Sequence, residues 1–218
     1  MSTLPGMRIG LFGGTFDPIH RGHVEPVRAA RVALQLDRVF FLPTAHPPHK
    51  ADRRFAPPLA RFAMAELALL DEEAMLVSTC ELRDQPVYTV ETLEHFTGEL
   101  PGADLHLIIG SDSLAALTSW RRWHELPRLA RIVVLTRPGW EPEVVRATLA
   151  PELLQAWDVG RIVAVEHAPQ PFSATAVRAA LAAGDDPPAG ALHPRVLDYA
   201  RKYRLYEPTL HEETNAAG

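Results

Sequence analysis

The stretch that decides the fold is MRIGLFGGTFDPIHRGH, residues 7–23. Met7–Phe12 is a short, continuous apolar run, the pattern of a strand covered on both faces. Gly13 and Gly14 end it, and paired glycines there suit a backbone that something must approach closely. A helix is expected to begin near Gly22 and His23 and to run to about Leu36. Pro26 falls in its first turn, where a missing N–H costs little.

Outward from this unit the alternation of strand and helix continues. Val39–Leu42 reads as a strand stopped by Pro43, and residues 43–58 carry five prolines. That segment is expected to be a long, lid-like loop that orders on substrate binding. Leu59–Leu70 has helical spacing, Met75–Leu82 reads as a strand, and Thr89 is expected to cap a helix to Phe96. Leu105–Ile109 is a strand stopped by Gly110, with Ser111 or Asp112 capping the short segment after it. Ile132–Leu135 is a strand, Val144–Ala156 a helix and Ile162–Val165 a strand. Ser173 caps Ala174–Ala182, and Gly184 sits just past its end. A last helix covers about Pro194–Tyr203, and the tail, about 208–218, is expected to be disordered. The fold class is therefore α/β: a Rossmann-like, doubly wound parallel sheet with helices on both faces. One domain is expected over residues 1–218, with its core at about 7–206. Ligands in such folds bind at the carboxyl ends of the strands, where the glycines and histidines fall.

Composition narrows the function classes. Hydrophobic residues are 47% and charged residues 22% of 218, ordinary values for a globular protein with a real core. The net charge of −5, with no basic block, argues against a polymeric nucleic-acid partner. The single cysteine, Cys80, excludes an internal disulfide, fits a reducing cytoplasm and reads as a buried small hydrophobe in MLVSTCEL. MSTLPG lacks the charged start and apolar stretch of a signal peptide, and no apolar run suits a membrane span. Of 22 basic residues only Lys50 and Lys202 are lysines, which singles out the lysine of HPPHK.

The glycine loop is neither a Walker loop nor a dinucleotide fingerprint, because GxxxxGK[ST] and GxGxxG are absent, and GxSxG is absent too. His20 and His23 have no third ligand at helical spacing, so a metal site is weakly supported. What remains is anion handling. Backbone N–H groups of Gly14 to Phe16, the Thr15 hydroxyl and a helix N-terminus can surround phosphate oxygens. Two histidines at i, i+3 can also be a mere surface pair.

GGTFDPIHRGH resembles the (T/S)xxHxGH signature of the nucleotidylyltransferase superfamily. FSATAVR, residues 172–178, resembles its second element, (I/V)SSTxxR, with Phe172 and Ala174 as departures. Within the superfamily the chain is similar to the bacterial nicotinate-nucleotide adenylyltransferases. PPHK (47–50), VYTVETL (87–93), IIGSDSL (108–114), SWRRWHEL (119–126) and TRPG (136–139) carry that likeness.

The resemblance implies transfer of the adenylyl group of ATP to nicotinate mononucleotide, giving nicotinate adenine dinucleotide and pyrophosphate, in NAD biosynthesis. It implies catalytic roles for Thr15, His20, His23 and Arg178. ATP would be held by Gly13, Gly14, Thr15, Phe16, His20, His23, Gly110, Asp112, Ser173, Thr175 and Arg178. His49, Lys50, Tyr88, Thr89, Trp120, Arg121 and Arg137 would hold the mononucleotide, with Trp120 stacked on the pyridine ring. Mg²⁺ would be held mainly by phosphates and water, and no protein ligand is singled out for it. The implied partners are small molecules, with neither nucleic acid nor membrane, and a homo-oligomer is compatible with the pattern. Packing roles for Tyr88 and Trp120, and a solvated loop for His49 and Lys50, stand beside these readings. So do nicotinamide mononucleotide or phosphopantetheine as acceptor, and a nucleotide-sensing domain without catalysis.

Overall fold

The computed structural model describes residues 6–46, 55–136 and 142–207. Arg8–Gly14 (β1) runs down the middle of a sheet that also contains Arg38–Pro43 (β2), Met75–Val77 (β3), Asp104–Gly110 (β4), Arg131–Leu135 (β5) and Ile162–Val165 (β6). The order is β3-β2-β1-β4-β5-β6, and every pairing is parallel. The chain winds outward from β1 in both directions, so a crevice opens between the ends of β1 and β4, the switch point where such sheets bind ligands.

Helices cover both faces. In chain order they are α1 (Arg21–Ala33), α2 (Pro58–Leu69), α3 (Thr89–Glu99), α4 (Ser111–Ala115), α5 (Leu126–Leu129), α6 (Pro142–Arg146), α7 (Pro151–Asp158), α8 (Ala174–Ala182) and α9 (Pro194–Lys202). Strand residues point alternately to the two faces. Val39, Phe41, Ile108 and Val133 pack with Val27 of α1, Met64 of α2, Val177 of α8 and Val196 of α9. Ile9, Leu11, Leu107 and Val134 pack with Leu93 of α3, Leu126 of α5 and Leu153 of α7. Two apolar layers on one sheet account for the continuous apolar runs of the strands.

Several boundaries differ from the sequence expectation. β1 continues through both glycines, which pair with Leu42 and Pro43. α1 stops at Ala33 rather than Leu36. Gln35 takes φ +51, and the Leu36 N–H returns to the Arg31 carbonyl at 2.9 Å, which turns Leu36 into the core. β3 ends at Val77 rather than Leu82. The Ser78 N–H still reaches Phe41 O at 2.9 Å, and then a turn closes from Leu82 N–H to Thr79 O. Cys80 is half-buried rather than fully buried, and burial raises the pKa of its thiol. Residues 144–156 form two helices, because Pro151 lacks an N–H and Ala150 is extended. The expected lid, 43–58, is described only at its flanks, and the expected disordered tail, 208–218, lies outside the described residues. Among the described residues no helix is long and apolar enough to cross a membrane.

Candidate active site

The chain leaves β1 through Thr15 and Phe16. Phe16 is buried with φ +48, a conformation rarely held by an aromatic residue and often found at functional sites. Its ring lies against Gly14, where a Cβ would come within 2.6 Å of it. Gly14 is thus required by Phe16. Gly13 differs: a Cβ there would meet nothing within 4 Å, so its backbone faces open space in the cleft wall.

Asp17, only 3% exposed, ties this turn to distant parts of the chain. Its Oδ1 accepts from Ala56 N–H at 3.1 Å and from the Tyr206 hydroxyl at 3.0 Å. Burial and the Asp17 carboxylate raise the Tyr206 pKa, which keeps that hydroxyl a donor. Arg178 Nη1 donates to the Asp17 carbonyl at 2.6 Å and lies 3.7 Å from Asp17 Oδ2. Arg61, 1% exposed, donates to Thr15 O at 2.6 Å, Ala56 O at 3.0 Å and Ala45 O at 3.4 Å. Burial lowers its pKa, and the nearby Asp17 offsets part of that effect. The phosphate-side turn is therefore tied to distant segments by the buried Arg61 and Asp17 and the partly buried Arg178.

His20 is the N-cap residue of α1, and its N–H donates to His23 Nδ1 at 3.2 Å. An accepting Nδ1 leaves Nε2 as the donor of a neutral His23 ring. The two rings lie 3.8 Å apart, and Phe16 meets His23 edge-on at 5.3 Å. His23 lines the cleft, whereas His20 stands behind it, 7% exposed. Gly22 lets His20 pack there, since a Cβ would meet its ring at 2.9 Å and Phe172 O at 3.2 Å. Among the other predicted phosphate-side residues, Thr15, Phe16, Thr175 and Arg178 line the cleft. Ser173 caps α8 instead, accepting from Ala176 N–H at 3.2 Å, and Arg178 also donates to Thr175 Oγ1 at 3.2 Å.

The second half of the cleft comes from α3 and the turn Leu117–Ser119. Tyr88, not Thr89, is the N-cap residue of α3, and its N–H donates to Glu91 Oε2 at 3.3 Å. Arg121 lies 4.7 Å over the Tyr88 ring and 3.5 Å from Glu91 Oε1. Tyr88, Thr89, Trp120 and Arg121 line one cleft of about 510 Å³ with the phosphate-side residues. Gly110, the N-cap residue of α4, joins them, while Asp112 is exposed on that helix and stands outside the wall. His49, Lys50 and Arg137 lie outside the described residues.

Glu81 lines the same cleft and was missed in the sequence, where it reads as one more strand position. Its Oε1 accepts from Thr92 Oγ1 at 2.8 Å, and its carbonyl accepts from Ala45 N–H at 3.2 Å. Burial pushes its carboxyl pKa up to about 7, against the opposing pull of Thr92 and Arg83. Asp17 and Arg61 were missed too. The first sits inside the quoted motif, but nothing local marks the second. Among the described residues no group of three His, Cys, Asp or Glu side chains could hold a metal ion. The donors on the cleft wall are imidazole, guanidinium, hydroxyl and backbone N–H, a set that suits anions.

Such a wall at a switch point suits nucleotide chemistry, and the matching family model is the cytidylyltransferase-like one, over residues 11–180. The chain is 40% identical to a protein of Chromobacterium violaceum over 91% of this chain and 98% of that one. It is 43% identical to a protein of Aeromonas hydrophila over 92% and 97%. Both are named "Probable nicotinate-nucleotide adenylyltransferase". The chain therefore belongs to the nicotinate-nucleotide adenylyltransferase family of cytidylyltransferase-like enzymes. Among solved structures, the nicotinic acid mononucleotide adenylyltransferase of Plasmodium falciparum complexed with NaAD matches with TM-score 0.71. The match covers 92% of this chain and 97% of that one at 17% identity, so it speaks for the fold.

Proposed function

We propose that this protein transfers the adenylyl group of ATP to nicotinate mononucleotide, releasing pyrophosphate and forming nicotinate adenine dinucleotide for NAD biosynthesis. The observation that carries this reading is the single cleft lined by both the His23–Arg178 side and the Tyr88–Trp120 side. One half offers donors for phosphates, and the other offers aromatic faces and N–H groups for a ring bearing a carboxylate.

In this reading a phosphate oxygen of the mononucleotide attacks the α-phosphorus of ATP in line. The new O–P bond forms as the bond to the β-phosphate oxygen breaks, and pyrophosphate leaves with the electron pair. The nucleophile is already an anion, so no base has to remove a proton. The work left to the protein is alignment and charge stabilisation. His23 would offer Nε2–H to the phosphates, with His20 buttressing its ring. Thr15, the backbone at Gly13 and Thr175 would add donors, and Arg178 would add charge while fixing the Asp17 turn. Gly14 and Phe16 would shape the turn, and Gly110 would face adenosine, with Asp112 exposed on the helix beside it. Trp120 and Tyr88 would sandwich or edge the pyridine ring, and Thr89 and Arg121 would meet its carboxylate. Mg²⁺ enters with ATP as part of the substrate, neutralising phosphate charge. We also take the chain as one domain that acts in the cytoplasm on small molecules, supported by the continuous sheet and the net charge of −5.

The test is pyrophosphate release from ATP and Mg²⁺ with three acceptors in parallel: nicotinate mononucleotide, its amide and phosphopantetheine. Fast release with the nicotinate acceptor is the expected result. Preference for phosphopantetheine would discard the pocket at Tyr88 and Trp120, and release with none would favour a nucleotide-sensing domain.

A further inference from the structure

Among the described residues, Glu81 is the one acidic side chain lining the half of the cleft assigned above to the pyridine ring, and the reaction does not use it. It stands on the segment that follows β3, beside Val87, Tyr88, Thr89 and Thr92 in the wall. Two bonds fix it there. Thr92, in the first turn of α3, donates its hydroxyl to Oε1 at 2.8 Å, and Ala45, after β2, donates its N–H to the Glu81 carbonyl at 3.2 Å. The carboxyl group is thus a fixed part of the wall rather than a solvated side chain.

We propose that Glu81 is a specificity-determining residue for the substituent on the pyridine ring: ionised, it opposes a carboxylate and accepts from an amide, and protonated, it removes that bias. This rests on the mononucleotide reading of the pocket. A carboxylate and an amide differ in charge and in donor capacity, and a fixed carboxyl group senses both. Burial pushes the Glu81 pKa up to about 7, so its charge changes across the neutral range. The Glu81→Gln variant separates that change from any carried by the other charged groups around it. Arg83, on its own segment, favours the ionised form. Arg121 is paired with Glu91 at 3.5 Å and stacked on Tyr88 at 4.7 Å. His46 adjoins Ala45 and is exposed, and Asp17, His23 and Arg178 line the phosphate side.

The experiment measures kcat/KM for nicotinate mononucleotide and for nicotinamide mononucleotide from about pH 6 to about pH 8.5, a span that brackets the Glu81 titration, and takes their ratio. Both acceptors share the same phosphate and the same ATP site, so titration of those groups cancels. The acid-to-amide ratio is expected to fall by about 10-fold across that range, the scale of one like charge nearby in a partly wet pocket. Glu81→Gln keeps an acceptor for Thr92 and removes the titration, so its ratio is expected to be flat with pH. A flat wild-type ratio, which needs no variant, would overturn the inference while leaving the reaction intact. So would a Glu81→Gln ratio that keeps the wild-type slope. No turnover with either mononucleotide would overturn the functional reading, and this inference with it.

Discussion

Gly22→Ala probes the packing behind the histidine pair. The added Cβ would lie 2.9 Å from two ring atoms of His20 and 3.2 Å from the Phe172 carbonyl oxygen. Ordinary contacts begin near 3.4 Å, so the ring must retreat by about half an ångström. The Phe172 carbonyl oxygen, itself closer than an ordinary contact, adds to the crowding. The ring's own neighbour is His23, 3.8 Å away between centroids, so a displaced His20 pushes on His23. Overpacking of this kind costs about 1–3 kcal/mol. Alanine recovers up to about 1 kcal/mol of helix propensity at a position inside α1. Stability should therefore fall by at most about 2–3 kcal/mol. Turnover should fall by about 10- to 100-fold, because a misplaced donor loses its charge stabilisation. Thermal denaturation and pyrophosphate release on the same preparation separate the two effects. Wild-type turnover in a folded Gly22→Ala variant would refute the argument that this glycine exists for the histidine pair.

His23→Ala should lower kcat by at least about 100-fold with an unchanged melting temperature, the scale of losing one transition-state donor; steady-state kinetics beside a melting curve checks it. Trp120→Ala should raise KM for the mononucleotide while leaving KM for ATP near wild type, and equal changes in both would remove the stacking role. Arg61→Ala should destabilise strongly, because three carbonyls lose their donor at about 1–3 kcal/mol for each one left unsatisfied, as read by denaturant unfolding. Glu81→Gln should stabilise the protein increasingly as pH rises. The native carboxyl titrates near 7 rather than 4.5, so the folded state binds the extra proton between those values, and wild-type stability is lost as pH climbs through them. The gap in unfolding free energy should approach at most about 3 kcal/mol above about pH 8 and close below about pH 4. A constant gap across pH would contradict the assignment.

The strand–glycine–helix unit around β1 and the places of the later strands along the chain were legible because burial on both faces leaves unbroken apolar runs. The phosphate-side histidines were legible because their spacing is short. Contacts between distant residues were not. Tyr206 reaches Asp17 across 189 positions, and Arg61 meets Thr15 across 46, and no local pattern announces either bond. The length of β3 was misread because alternation in MLVSTCEL reports burial, and burial continues after the ladder ends at Ser78. The same misreading hid Glu81, which lines the cleft. Gln35 ends α1 at positive φ without the glycine that would have marked the stop.

The most direct test of the central claim follows the adenylyl group itself. ATP labelled at the α-phosphorus is incubated with Mg²⁺, the protein and nicotinate mononucleotide, and the products are separated. The label is predicted to move into nicotinate adenine dinucleotide, one for each pyrophosphate released. Label that stays in ATP, or that appears as free AMP without dinucleotide, would contradict adenylyl transfer to the mononucleotide.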